Sequence, residues 1–148
     1  MTRGKSFTLI ELIVVIVIIT LLAVIAVPQI VNFYQRCTKV SEAKANLRAI
    51  RDCEEVYRGE HDKYITCSPN PPRIPKNTKV AWQKENQTGW PEVGFEPDNG
   101  LYYQYEVKTS PDRLTFVVYT RGDLDADGTC SEISLDQDGN WSVVNQFE

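Results

Sequence analysis

The chain has 148 residues, 42% hydrophobic and 24% charged, with 16 Lys and Arg against 20 Asp and Glu for a formal charge of −4. So many apolar, aromatic and β-branched residues exclude a fully disordered chain. The acidic balance excludes wholesale nucleic-acid binding, which needs a basic surface to displace counterions.

The length admits one modest domain, or a smaller domain with an appendage. The mean hydropathy of −0.33 is ordinary, yet it averages two unlike parts. The first thirty residues are almost all apolar and the remainder is strongly polar.

Residues 7–27 read FTLIELIVVIVIITLLAVIAV, with Glu11 the one charge. As a helix they rise roughly 31 Å, about the hydrocarbon thickness of a bilayer. A cleaved secretory signal fits less well than a retained membrane helix. The apolar run exceeds a signal core, and Pro28 spoils the small-residue site after Ala26. Arg3 and Lys5 precede the run with no acid beside them. Positive charge stays cytoplasmic, so a single-pass protein with its polar part beyond the inner membrane is expected.

Glu11 is the odd residue in this block. A carboxylate one turn inside a lipid-facing helix either snorkels to the headgroups or takes a cation from another chain. A free α-amino group at Phe7 is such a cation, since it lies at the same membrane depth.

A short basic leader, FTLIEL, an apolar helix and Pro28 together resemble the N-terminus of a type IV prepilin. The resemblance implies that a prepilin peptidase cuts between Ser6 and Phe7, that Phe7 is then N-methylated, and that Glu11 is the assembly residue. The family usually has glycine before the cut. Here Ser6 stands there, and cutting after Gly4 would leave Glu11 seventh rather than fifth. Thr20 stands where the family often has a helix-loosening glycine, while Pro28 removes one backbone hydrogen bond and marks a kink. SEAKANLRAI at 41–50, DKYIT at 62–66, VGFEP at 93–97 and RGDLDADGT at 121–129 also resemble pilins, most of all myxobacterial and related deltaproteobacterial ones.

Beyond Pro28, apolar residues fall at Ile30, Phe33, Tyr34, Cys37, Val40, Leu47, Ile50 and Tyr57, mostly three or four apart. That spacing predicts an amphipathic helix, stopped at Gly59. The division expected is a leader at 1–6, a membrane or filament-core helix at 7–28, an amphipathic half at 29–59, a loop region at 60–100 and a β-sheet at 101–148. Pro69, Pro71, Pro72 and Pro75 make 66–79 read as irregular loop. Trp82 and Trp90 then sit on a loop packed against the domain.

Strands are expected at 101–107, 113–120, 131–135 and 140–144, with turns at Ser110-Pro111-Asp112 and Asp138-Gly139. An antiparallel meander with one face on the helix gives an α+β, pilin-like fold.

Four cysteines allow three pairings. Cys37 and Cys53 lie roughly 24 Å apart along a continuous helix, which excludes the pairing that joins them. Cys53–Cys67 with Cys37–Cys130 is favoured because it closes a short loop, and Cys37–Cys67 with Cys53–Cys130 stays open. No C-x-x-C spacing points to metal.

Asp123, Asp125 and Asp127, followed by Gly128, have the D-x-D-x-D-G shape of a calcium loop. A solvated Asp/Gly turn is the competing reading, since the twelfth position is Ser134 rather than a bidentate Glu. Asp136 or Asp138 are candidate helpers. Asn86-Gln87-Thr88 fits a glycosylation pattern.

Enzyme chemistry has little to build on. His61 is the one histidine, and no nucleophile motif or phosphate-binding glycine loop occurs.

The resemblance implies a subunit stored in the inner membrane and lifted by an assembly platform into a homo-oligomeric helical filament at the cell surface. No organic cofactor or specific nucleic acid is expected. A type II secretion pseudopilin and a monomeric membrane-tethered periplasmic binding module are the alternatives.

Overall fold

The computed structural model describes residues 7–85, 87–97 and 99–146. The leader residues, Ser6 included, and Asn86 lie outside them. The element order is α1 (Leu9–His61), β1 (Cys67–Asn70), α2 (Trp90–Val93), β2 (Gln104–Thr109), β3 (Phe116–Gly122), β4 (Ser131–Asp136) and β5 (Trp141–Val144). The strands form one antiparallel sheet in the order β1-β2-β3-β4-β5, so the fold is α+β. The chain divides into two compact units between Gln35 and Arg36.

The first unit holds residues 9–35 of α1. Its apolar side chains are exposed all round the helix, from Leu9 to Phe33. A helix apolar on every face has no amphipathic seam to bury, and this one is long and apolar enough to cross a membrane. α1 runs through Pro28 without a break, and the Thr20 hydroxyl donates to the Ile16 carbonyl at 2.7 Å.

In the second unit, α1 buries Val40, Ala43, Leu47, Ile50 and Glu54. The gaps of three, four, three and four keep one stripe on the sheet. The expected stripe was longer: Ile30, Phe33 and Tyr34 are exposed, so burial begins only past Arg36. β3 and β4 alternate buried and half-buried residues, the period of a sheet covered on one face. Phe116, Val118, Ile133 and Leu135 therefore meet the helix stripe in one core, joined by Tyr103, Tyr105 and Val107.

The meander forms with its strands shifted. The strand expected at 101–107 lies at Gln104–Thr109, and the one expected at 113–120 lies at Phe116–Gly122. The 110–115 turn consumes the difference, with Ser110 N–H donating to Thr115 O and Arg113 taking a left-handed φ of 61°.

Two further elements lie where loop was expected. β1 pairs with β2 despite its proline-rich sequence, with a register irregularity between Cys67 and Asn70, as an edge strand allows. α2 begins at Trp90 with Pro91 in its first turn, where a missing N–H costs nothing. Gly59 does not stop α1. The helix passes through it to His61, and Asp62 supplies the left-handed residue at φ 59°, its N–H donating to Arg58 O.

Candidate functional site

Three groups of polar residues stand out from this framework. The first is the start of α1. The Thr8 N–H and hydroxyl both donate to Glu11 Oε2, at 3.1 and 3.0 Å, and Glu11 N–H donates back to Thr8 Oγ1 at 3.3 Å. This is a capping box, satisfying donors that a helix start leaves orphaned. Glu11 therefore has a hydrogen-bond partner in its own chain. What Thr8 does not supply is a counter-charge. The T-x-x-E spacing was legible in the sequence as a cap; its cap role was missed behind the carboxylate's membrane depth.

The second group is the loop after β3. Carboxylate oxygens of Asp123, Asp125 and Asp127 all lie within 4.8 Å of one another. Asp123 is 1% exposed and its Oδ1 is buried without a hydrogen-bond partner, while Oδ2 accepts from Gly128 N–H at 3.2 Å. Ala126 and Gly128 take φ of 65° and 97°, which curls the backbone around the carboxylates.

The loop is tied to α1. Arg36 Nη2 reaches Asp125 Oδ2 at 3.0 Å, and the Lys39 ammonium donates to Leu124 O and to Asn77 Oδ1. Burial lowers the Lys39 pKa, helped by nearby Arg36 and opposed by Asp125. The expected helpers do not join this loop. Ser131, at the loop end of β4, pairs with Gly122, whereas Asp136 lies at the opposite end of the strand opposite Val117. Asp136 is occupied there by Asn140 of the hairpin, and Asp138 belongs to that same hairpin.

The third group was not anticipated. Glu54 is fully buried at the core end of the stripe, its Oε2 accepting from Ile65 N–H at 3.1 Å and its Oε1 facing the buried Cys67 thiol at 3.8 Å. All four cysteines are free thiols. The expected Cys53–Cys67 and Cys37–Cys130 bonds are not formed in this structure. The α1 side chain that reaches Cys67 is Glu54, and its neighbour Cys53 projects about 100° around the helix. Burial, then the Glu54 charge, pushes the Cys67 thiol well above its ordinary value.

Burial also raises the Glu54 carboxyl to about 7, against the pull of Ile65 N–H, the Cys67 thiol and Arg113. The folded state therefore binds a proton that the unfolded chain has released between pH 4.5 and 7. Stability from this group is full below about pH 4.5, falls as pH rises through the window, and is lost above 7, by about 3 kcal/mol in all. Thermal melts across that range are expected to show this fall, and Glu54→Gln to flatten it while raising stability at pH 8. A wild-type profile flat across the window would exclude the proton.

His61 stays at the surface, its ring stacked on Tyr57 at 4.1 Å.

Comparison with known proteins adds to this geometry. The family model described as the prokaryotic N-terminal methylation motif matches residues 1–27, which include Ser6, Phe7 and Glu11. The chain is 33% identical over 108 residues to the type IV major pilin protein PilA of Myxococcus xanthus (strain DK1622). That alignment covers 73% of this chain but 39% of the relative, so the chain spans well under half of that protein. No solved structure matches. A major pilin is a structural protein and not an enzyme. The methylation motif thus lies on an exposed apolar helix whose polar half carries the sheet, and similarity to a type IV major pilin runs through most of the chain's length.

Proposed function

We propose that this chain is the structural subunit of a type IV pilus-like filament serving motility, adhesion or biofilm formation. It is held in the inner membrane by residues 7–28 with its sheet on the periplasmic side, and it polymerises once its leader is removed. The observation that carries this reading is the exposed apolar helix with a single carboxylate, Glu11, one turn from Phe7. Cutting between Ser6 and Phe7 removes Arg3 and Lys5 and takes the charge from −4 to −6. It also frees at Phe7 the ammonium that Glu11 needs. N-methylation keeps that charge.

In a filament the apolar helices exchange lipid for one another, and the head-to-tail contact propagates rather than closes. The partners are copies of this chain, the prepilin peptidase and the inner-membrane assembly platform.

Intact-mass and N-terminal analysis of purified surface filaments tests this. A chain beginning at methylated Phe7 is the expected species. An uncut chain that is absent from every filament favours the tethered binding module instead. Filaments that stay within the envelope and fail to be shed favour the secretion pseudopilin.

The same chain is read as holding calcium at Asp123, Asp125 and Asp127. In favour stands Asp123 Oδ1, a buried carboxylate oxygen with no donor, a group that costs several kcal/mol unless a partner is supplied. Bound calcium supplies charge neutralisation to this loop, and the three carboxylates are the residues that would hold it. Calcium at a hundredfold excess over its Kd is expected to raise stability by about 2.7 kcal/mol, and Asp127→Asn to remove most of that gain. Calorimetric titration showing no calcium uptake by the wild-type protein would leave these residues as a solvated turn.

A further inference from the structure

Residues 82–85 and 87–96 carry almost no regular structure besides α2, yet they are pinned from several sides. Asn70 clamps the Gln83 backbone, donating to its carbonyl at 2.8 Å and accepting its N–H at 3.2 Å. Trp90 Nε1 donates to Ser68 O at 2.6 Å, and Thr88 N–H donates to Ser68 Oγ at 3.1 Å. Gly89 lies so close to Thr66 and Cys67 that no side chain fits between them. A loop held this firmly presents a preformed surface, which lowers the ordering cost of binding.

That surface is a pocket of about 200 Å³. Its floor is aromatic: Trp82 meets Trp90 edge-on at 4.9 Å and Phe95 edge-on at 5.5 Å. Trp90 and Phe95 are buried and Trp82 is half-buried. Trp90 and Phe95 are packed behind Trp82, so the half-buried Trp82 is the ring with surface left for a ligand to stack on.

The rim is polar and electrically balanced. The exposed Gln83 side chain is uncommitted to the Asn70 clamp, which uses only its backbone. Gln87 accepts the Ser68 hydroxyl through Oε1, which leaves its amide hydrogens to donate. Lys84 and Glu96 form an ion pair across the rim, so neither sign of ligand charge is favoured.

We infer that this pocket is a binding subsite for one ring of a neutral saccharide. A sugar ring offers an apolar face of C–H groups for the aromatic floor and a fringe of hydroxyls that both donate and accept, as the amides do. The volume lies below the 300–1,000 Å³ or so of drug-sized sites and matches a single ring. The inference concerns the single subunit and holds whether or not the chain polymerises.

The test uses the full chain, ¹⁵N-labelled, in a zwitterionic detergent without sugar headgroups. Cellopentaose, maltopentaose and, as a flat aromatic without hydroxyls, indole are titrated separately. The three indole N–H signals report directly, since Trp82 and Trp90 lie at the pocket and Trp141 lies on β5. Saturable shifts at Trp82 and Trp90 with at least one glucan, near-millimolar, and a still Trp141 are expected. Trp82→Ala is expected to weaken that binding about tenfold.

Should Trp82→Ala lose the dispersed signals of the sheet, Gln83→Ala replaces it, being a change at an exposed side chain that is expected to weaken binding severalfold. No saturable shift with either glucan, an equal shift at Trp141, tighter binding of indole than of both glucans, or unchanged affinity in the folded variant would each overturn the inference.

Discussion

Glu11→Gln is expected to stop filament growth, lowering recovered filaments by about a hundredfold or more, while the subunit still accumulates in the membrane. The size follows from the charge. An ionised carboxylate within a membrane helix costs about 2.5–3.5 kcal/mol on insertion scales, and a filament repeats the compensating contact at every subunit. Losing about 2.7 kcal/mol per contact is already a hundredfold in the association constant of each step.

Glutamine is the informative replacement because of Thr8. Its amide oxygen still accepts the two Thr8 donors that now go to Glu11 Oε2, so the helix start stays capped. Glu11→Ala loses the charge and the carboxylate half of the capping box together: the two Thr8 donors lose their acceptor, while the backbone N–H of residue 11 still reaches Thr8 Oγ1. If Glu11→Gln assembles normally and only Glu11→Ala fails, the carboxylate serves as a cap, and the proposed ammonium pairing is wrong. Electron microscopy of sheared filaments, with membrane immunoblots as the control for subunit level, reads both outcomes.

The second large effect is expected at Gly89. Its φ of +87° is one that side chains rarely adopt, and an added Cβ would fall 2.4 Å from Thr66 O and 2.8 Å from Cys67 Sγ. Both neighbours sit at the start of β1, whose Cys67 is wholly buried, so neither yields easily. Gly89→Ala is therefore expected to destabilise the sheet-bearing unit by about 3–5 kcal/mol.

Gly94 is the matched control. It also has positive φ, +75°, but nothing lies within 4 Å of its added Cβ. Gly94→Ala pays only the conformational penalty, about 1–2 kcal/mol. Denaturant melts of the two variants separate steric contact from backbone strain, and equal losses would mean that the Thr66 contact relaxes freely.

Much of this architecture was open to inspection before any coordinates. The apolar run, its lone Glu11 and the three-four spacing from Val40 to Ile50 name the helix and its two halves, because burial in lipid and burial against a sheet leave different periodicities. The alternation at 131–135 and the Asp138-Gly139 turn name a hairpin for the same reason. β1 escaped because prolines argue against strands. It exists because β2 offers an edge that tolerates them. Gly59 misled because a glycine only permits a helix end, and Asp62, three residues further on, provides one.

The sequence by itself determined that this chain has a membrane-length helix with one ionisable group, followed by an amphipathic helix and an antiparallel meander. These properties live in local spacing and composition, which a linear chain displays directly. Only the tertiary structure decided that Glu54 rather than Cys53 meets Cys67, that Asp123 keeps a buried oxygen without a donor, and that Trp82, Trp90 and Phe95 share one pocket. Each of these depends on which side chains distant in the chain are brought together and dried. Desolvation and contact between such groups have no signature in the order of residues.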